Sequence, residues 1–105
     1  MKKPTEVNIL GSPYSIEYKD NPVDVDIDGR ASLWGQIDYW TNSIRIYDKD
    51  RPMEEILESL LHEILHGIEQ SLHLTAFEGK HDELDILALA LTDVLVRNGW
   101  LKEGA

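Results

Sequence analysis

Pro52-Met53-Glu54-Glu55-Ile56-Leu57-Glu58-Ser59-Leu60-Leu61-His62-Glu63-Ile64-Leu65-His66-Gly67-Ile68-Glu69-Gln70-Ser71-Leu72 is the stretch on which the fold turns. Leu57, Leu60, Leu61, Ile64, Ile68 and Leu72 return at helical spacing. Residues 52–72 therefore predict one long amphipathic helix with those side chains as its buried stripe. Pro52 is tolerated in a first helical turn, and Glu54 with Glu55 suits the positive end of the helix dipole. At about 100° per residue, His62 and His66 lie roughly 120° to 160° round from the centre of the stripe, so neither is an ordinary core residue.

Downstream, a second helix is predicted over 82–98, with Leu84, Leu87, Ala88, Leu91, Val94 and Leu95 as its apolar face and Gly99 as its stop. Upstream, the apolar period shortens to two. Residues 5–9 and 14–18 are β-prone runs on either side of Gly11-Ser12-Pro13, which predicts a first hairpin. Residues 35–40 and 44–47 flank Thr41-Asn42-Ser43 as a second. Between the hairpins, residues 21–29 form a polar turn region. Its Asp24, Asp26, Asp28 and Gly29 have the spacing that opens a calcium loop, but no glutamate follows at the required position and no helices flank it, so it reads as a solvated loop. The expected class is α+β: a small antiparallel sheet of hairpins packed against two main helices, in a single domain spanning 1–105.

Composition narrows the function classes. Twenty acidic against ten basic residues give a net charge of −10, which argues against direct binding to nucleic acid or an anionic membrane. The plain reading of that charge is solubility; an acidic field also attracts cations or basic peptides, or lets a protein mimic DNA. No cysteine is present, so any metal must be held by His, Asp or Glu. The longest apolar run, 86–91, is far short of a membrane span, and the first six residues lack the apolar core of a secretory signal. A cytoplasmic protein of unknown oligomeric state is the expectation.

The chemistry sits in the long helix. His62-Glu63-Ile64-Leu65-His66 is an H-E-x-x-H motif: two imidazoles one turn apart can reach one zinc ion, and Glu63 beside the first can take a proton from water on that ion. Glu63 points about 100° away from His62, which suits a general base better than a ligand. A third ligand is needed. His73 shares the strip of His62 and His66, but seven residues of helix place it about 10 Å beyond His66, so it can ligate only if the helix ends early. Glu69, one turn after His66, suits a hydrogen-bonding neighbour. The start of the second helix is the better source: His81 falls on its inward face and supplies the expected third ligand. Asp85 follows one turn later, either accepting the free N–H of a ligand histidine or ligating itself. Glu83 is a further alternative pointing to the other flank, and Asp82 points outward.

Hairpin strands, then a helix carrying His62-Glu63-Ile64-Leu65-His66-Gly67, then a second helix offering a ligand: over residues 33–98 this layout resembles the zincin metallopeptidases, in particular the compact phage- and prophage-type proteins related to ImmA/IrrE. Zincins of the glutamate-ligand type carry their third ligand as Glu on the next helix, often with an Asp one turn on; the comparable pair here is His81 and Asp85. The resemblance implies hydrolysis of a peptide bond, with Glu63 as base. It also implies an open sheet edge at 44–47 on which an extended peptide or protein substrate pairs. Tyr39, Tyr47 or His73 could then stabilise the oxyanion, although each is also readable as structural, as are Trp34, Trp40 and Trp100. The rival reading is a non-catalytic binding or inhibitor protein, either a degenerate zincin with a structural metal or an acidic DNA mimic.

Overall fold

The computed structural model describes residues 3–73 and 78–98; the expected helix stop at Gly99 and the indole of Trp100 lie outside them. The described chain runs β1 (Glu6–Ile9), β2 (Ser12–Lys19), a single 3₁₀ turn (Pro22–Asp24), β3 (Gly35–Asp38), β4 (Ser43–Tyr47), α1 (Met53–Leu72) and α2 (His81–Arg97). This is the α+β class read from the sequence.

Both hairpins form, with turns displaced from their expected places. The first turns at Leu10 and Gly11, whose φ values of 51° and 93° are both positive. Gly11 meets that geometry without a Cβ penalty, and its amide donates to Asn8 Oδ1 at 2.7 Å. Ser12 and Pro13, expected in the turn, already belong to β2. In the second hairpin, Ser43 is the buried first residue of β4 and not part of the turn. The turn is held instead by the Asp38 carboxylate, which accepts from the Trp40 amide and the Thr41 hydroxyl.

The sheet order is β1-β2-β4-β3, and its central pair, β2 with β4, is parallel (Ile16 opposite Ile44, Tyr18 opposite Ile46). The sheet is therefore mixed, which corrects the all-antiparallel expectation. It also corrects the expectation of an open edge at 44–47. That strand lies between two others; the edges are β1 and β3, and β3 is the one that lies over Glu63 of α1. Burial explains the choice. Ile44 and Ile46 are fully buried and gain most from the centre, whereas Gly35-Gln36-Ile37-Asp38 carries little apolar surface to hide. In the loop before β3, the Asp26 carboxylate accepts from the amides of Asp28, Arg30 and Ala31 and from the Gln36 side chain. The aspartate spacing that resembled an ion loop thus serves to organise the backbone that leads into the edge strand.

α1 crosses the sheet, with Ile56 and Leu60 packed among Ile9, Tyr14, Ile16, Ile44 and Ile46. The approach is tightest at Gly67, where a Cβ would stand 2.7 Å from Ile9 Cδ1 and 3.1 Å from Ile37 Cδ1. α2 packs against another side of α1 through Leu84 and Ala88, both fully buried. With two covered faces, α1 does not bury one simple stripe: Ile56, Glu63 and Gly67 are buried, while Leu72, expected on the stripe, is exposed.

Candidate metal centre

Three histidines from two helices converge on one point. His62 and His66 rise from successive turns of α1, and His81 is the first residue of α2. His62 Nε2 stands 3.1 Å from His66 Nε2 and 3.2 Å from His81 Nε2. Two nitrogens each about 2.0–2.1 Å from one ion, at a tetrahedral angle, are about 3.3 Å apart, so this spacing suits ligands of a common centre. These are the three residues, among those described, whose ligand atoms lie close enough to hold a metal ion.

The hydrogen-bonding inventory points the same way. His62 Nδ1 lies 2.7 Å from Asp85 Oδ1 and donates to it, which leaves the lone pair on Nε2. That lone pair can accept one N–H, yet two imidazole nitrogens face it. A cation at the point of convergence satisfies all three at once, and such ligation needs neutral imidazoles. Burial by α1 and its neighbours holds both His62 and His66 below the ordinary histidine pKa, with neighbouring histidines adding to the effect and the Asp85 carboxylate opposing it. Asp85 also faces the histidine of its own helix, with Oδ2 at 3.8 Å from His81 Nδ1. One carboxylate thereby faces the outer nitrogens of two of the three rings.

Glu63 is directed elsewhere on α1. Its side chain is buried between the helix and β3, with Oε2 3.9 Å from His62 Nε2; it stands outside the group of three ring nitrogens but near enough to reach a water beside them. Burial pushes its pKa up to about 7; the Ile37 amide, which donates to the carboxylate, pulls the other way, and the negative charge of Asp85 adds to the rise. A carboxyl poised near neutrality can both take up and release a proton.

The β3 edge forms the opposite wall. Tyr47 donates its amide to the Trp34 carbonyl and Gln36 pairs with Arg45, so in an antiparallel ladder the amides and carbonyls of Gly35 and Ile37 face outward. Gly35 also sets the depth of the site, since a Cβ there would meet Glu63 Oε2 at 3.2 Å and Ile46 Cδ1 at 3.1 Å. Its importance has no signal in the sequence, because the contact exists only once β3 lies over α1. The same is true of Arg51 and Trp34, which help line a cleft opening beside His62 and Glu63.

The remaining candidates separate clearly. Glu69 Oε1 lies 3.9 Å from His66 Nδ1, as expected of a neighbour rather than a ligand. His73 is the left-handed C-cap of α1 (φ 54°), and the helix runs its full expected length, so His73 stays outside the cluster. Glu83 and Asp82 lie on the first turn of α2, also outside it. Tyr39 lines the site, and its hydroxyl donates to the His66 carbonyl at 3.2 Å; burial raises its pKa to about 12. Tyr47 packs against Trp34 at a ring separation of 5.8 Å. Trp34, 63% exposed, keeps packing contacts with Tyr47 and Arg51, whereas Trp40, 97% exposed, is no part of the core.

Comparison with known proteins finds no matching family, no matching curated protein and no matching solved structure. Among the described residues, no helix is long and apolar enough to cross a membrane.

Proposed function

We propose that this chain is a zinc-dependent metallopeptidase in which His62, His66 and His81 hold the ion and Glu63 acts as general base. The observation that carries this reading is the convergence of three imidazole nitrogens, 3.1 and 3.2 Å apart, with a buried carboxylate 3.9 Å from one of them and an open strand edge alongside. Three neutral nitrogen donors would hold such an ion while leaving room for exchangeable water, as catalytic zinc sites do. Zinc bound there would supply Lewis acidity toward water and toward the scissile carbonyl.

The protein's own groups supply the rest. Asp85 orients His62, and through it the ring cluster. Glu63 takes the proton of the attacking water and passes it to the leaving amine, the two transfers of a general base that then acts as general acid. The outward Gly35 amide and the outward carbonyls of Gly35 and Ile37 on β3 pair with an extended substrate backbone, the role expected of 44–47, while the Ile37 amide holds the Glu63 carboxylate. A purely binding protein would have no use for a buried carboxylate beside an open ligand position, which is why the enzyme is preferred to a degenerate zincin or a DNA mimic.

The test combines metal analysis with turnover. Protein purified without chelator should carry about one zinc per chain and cleave unstructured peptides, and Glu63→Gln should retain the zinc while losing cleavage. Undiminished cleavage by that variant would exclude Glu63 as the base.

A further inference from the structure

Next to the metal centre, α1 continues toward its N-terminus along a cleft of about 310 Å³ that shares His62, Glu63 and Asp85 with the centre and extends to Glu58, Glu55 and Trp34. Glu55, Glu58 and His62 fall on one side of α1 at spacings of three and four residues, so the cleft follows a helix face away from the ion. From His62 to Glu58 is about 6 Å along the axis at 1.5 Å per residue.

We infer that this cleft receives a lysine or arginine side chain of the peptide, next to the bond that is cut. The inference rests on the metallopeptidase reading for what enters the site, and on the cleft alone for which side chain it takes. Among the described residues, neither the Glu55 nor the Glu58 carboxylate has a hydrogen bond or close ion pair, so both are available to a cation from outside the chain. The one arginine on the lining, Arg51, is already committed. Its guanidinium donates to the Tyr47 carbonyl at 2.6 Å, to the Glu55 carbonyl at 3.1 Å and to Ser59 Oγ at 2.8 Å, and it lies over one face of the Trp34 ring at 4.5 Å. Arg51 therefore braces the cleft, while Glu55 and Glu58 leave it with an excess of negative charge.

Partial burial, together with the charges of Asp85 and Glu55, raises the pKa of Glu58 against the opposing charge of Arg51, so negative charge outweighs positive around this carboxyl. A lysine stem of four carbons spans the distance from the metal centre to Glu58, and Trp34, largely exposed, offers apolar and cation–π contact to such a stem and head. The net charge of −10 steers basic peptides toward the same surface.

Binding tests the cleft separately from catalysis. Zinc-loaded Glu63→Gln protein is titrated with three short peptides differing at one position, lysine, norleucine or glutamate, and binding is followed by tryptophan fluorescence and the Trp34 indole resonance. The lysine peptide should bind about tenfold more tightly than the norleucine peptide, with the glutamate peptide weakest. Glu58→Gln, combined with Glu55→Gln, should remove most of that lysine advantage. Equal affinity for lysine and norleucine, or a lysine advantage that survives the double change, overturns the assignment. The same peptides offered to the zinc-loaded native protein report on the other reading: tight binding of the lysine peptide without cleavage would sink the peptidase and leave the cation-binding cleft standing.

Discussion

Replacing Glu63 by glutamine should stabilise the metal-free protein, and the gain should depend on pH in a defined way. Burial between α1 and β3 lifts the folded-state pKa of Glu63 from 4.5 to about 7. A carboxyl whose folded pKa lies above its unfolded value contributes stability below the unfolded pKa and loses it as pH rises through the folded one. The window therefore runs from about 4.5 to about 7. Integrating across it, the native glutamate costs about 1 kcal/mol at pH 5 and about 3 kcal/mol at pH 8 relative to a group that stays neutral. Glutamine is close to isosteric and keeps an oxygen to accept the Ile37 amide, so it should recover most of that cost. His62 and His66 also titrate, but they do so in both proteins and largely cancel from the difference. Urea unfolding of the native and Glu63→Gln proteins in EDTA, at pH 5 and pH 8, measures it. A stability difference of the same size at both pH values, or a native protein more stable than the variant at pH 8, would refute the argument that burial of this carboxyl is the dominant effect. The expected result would mean that the fold sacrifices stability at Glu63, as functional sites do.

Three further outcomes are expected. His81→Ala should lose stoichiometric metal as severely as His62→Ala or His66→Ala, read by metal analysis after dialysis; retention in His81→Ala would transfer the third donor to Asp85. Asp85→Asn should keep the fold but weaken metal binding by roughly 10- to 100-fold in a chelator competition, because the asparagine orients His62 without the carboxylate's charge; unchanged affinity would reduce Asp85 to a surface residue. Ile44→Ala should destabilise the protein by about 2–5 kcal/mol in urea unfolding, since it opens a cavity at a fully buried position in the central strand; a cost below about 1 kcal/mol would be inconsistent with β4 lying in the middle of the sheet.

The sequence by itself determined what depends on near neighbours in the chain. The helix over 52–72, the second helix, both hairpins and the pairing of His62 with His66 all follow from periods of 3.6 and 2 within a few residues. His81, too, could be placed by the wheel of its own helix, because a residue's facing relative to Leu84 and Ala88 is a local property. What only the tertiary structure decided is which strand lies beside which and how closely surfaces approach. Nothing within residues 43–47 says that β4 will sit between β2 and β3. That arrangement is set by the competition of two strands for the centre of one sheet, won by Ile44 and Ile46 over the polar β3. The open edge moves to β3 as a result. The depth of Glu63, the close fit at Gly35 and Gly67, and the cleft of Glu55, Glu58 and Trp34 arise from the same long-range packing. Burial is a property of what covers a side chain, and for Glu63 the cover is a strand 26 to 28 residues earlier, around Gly35 and Ile37, which no local pattern in the helix can reveal.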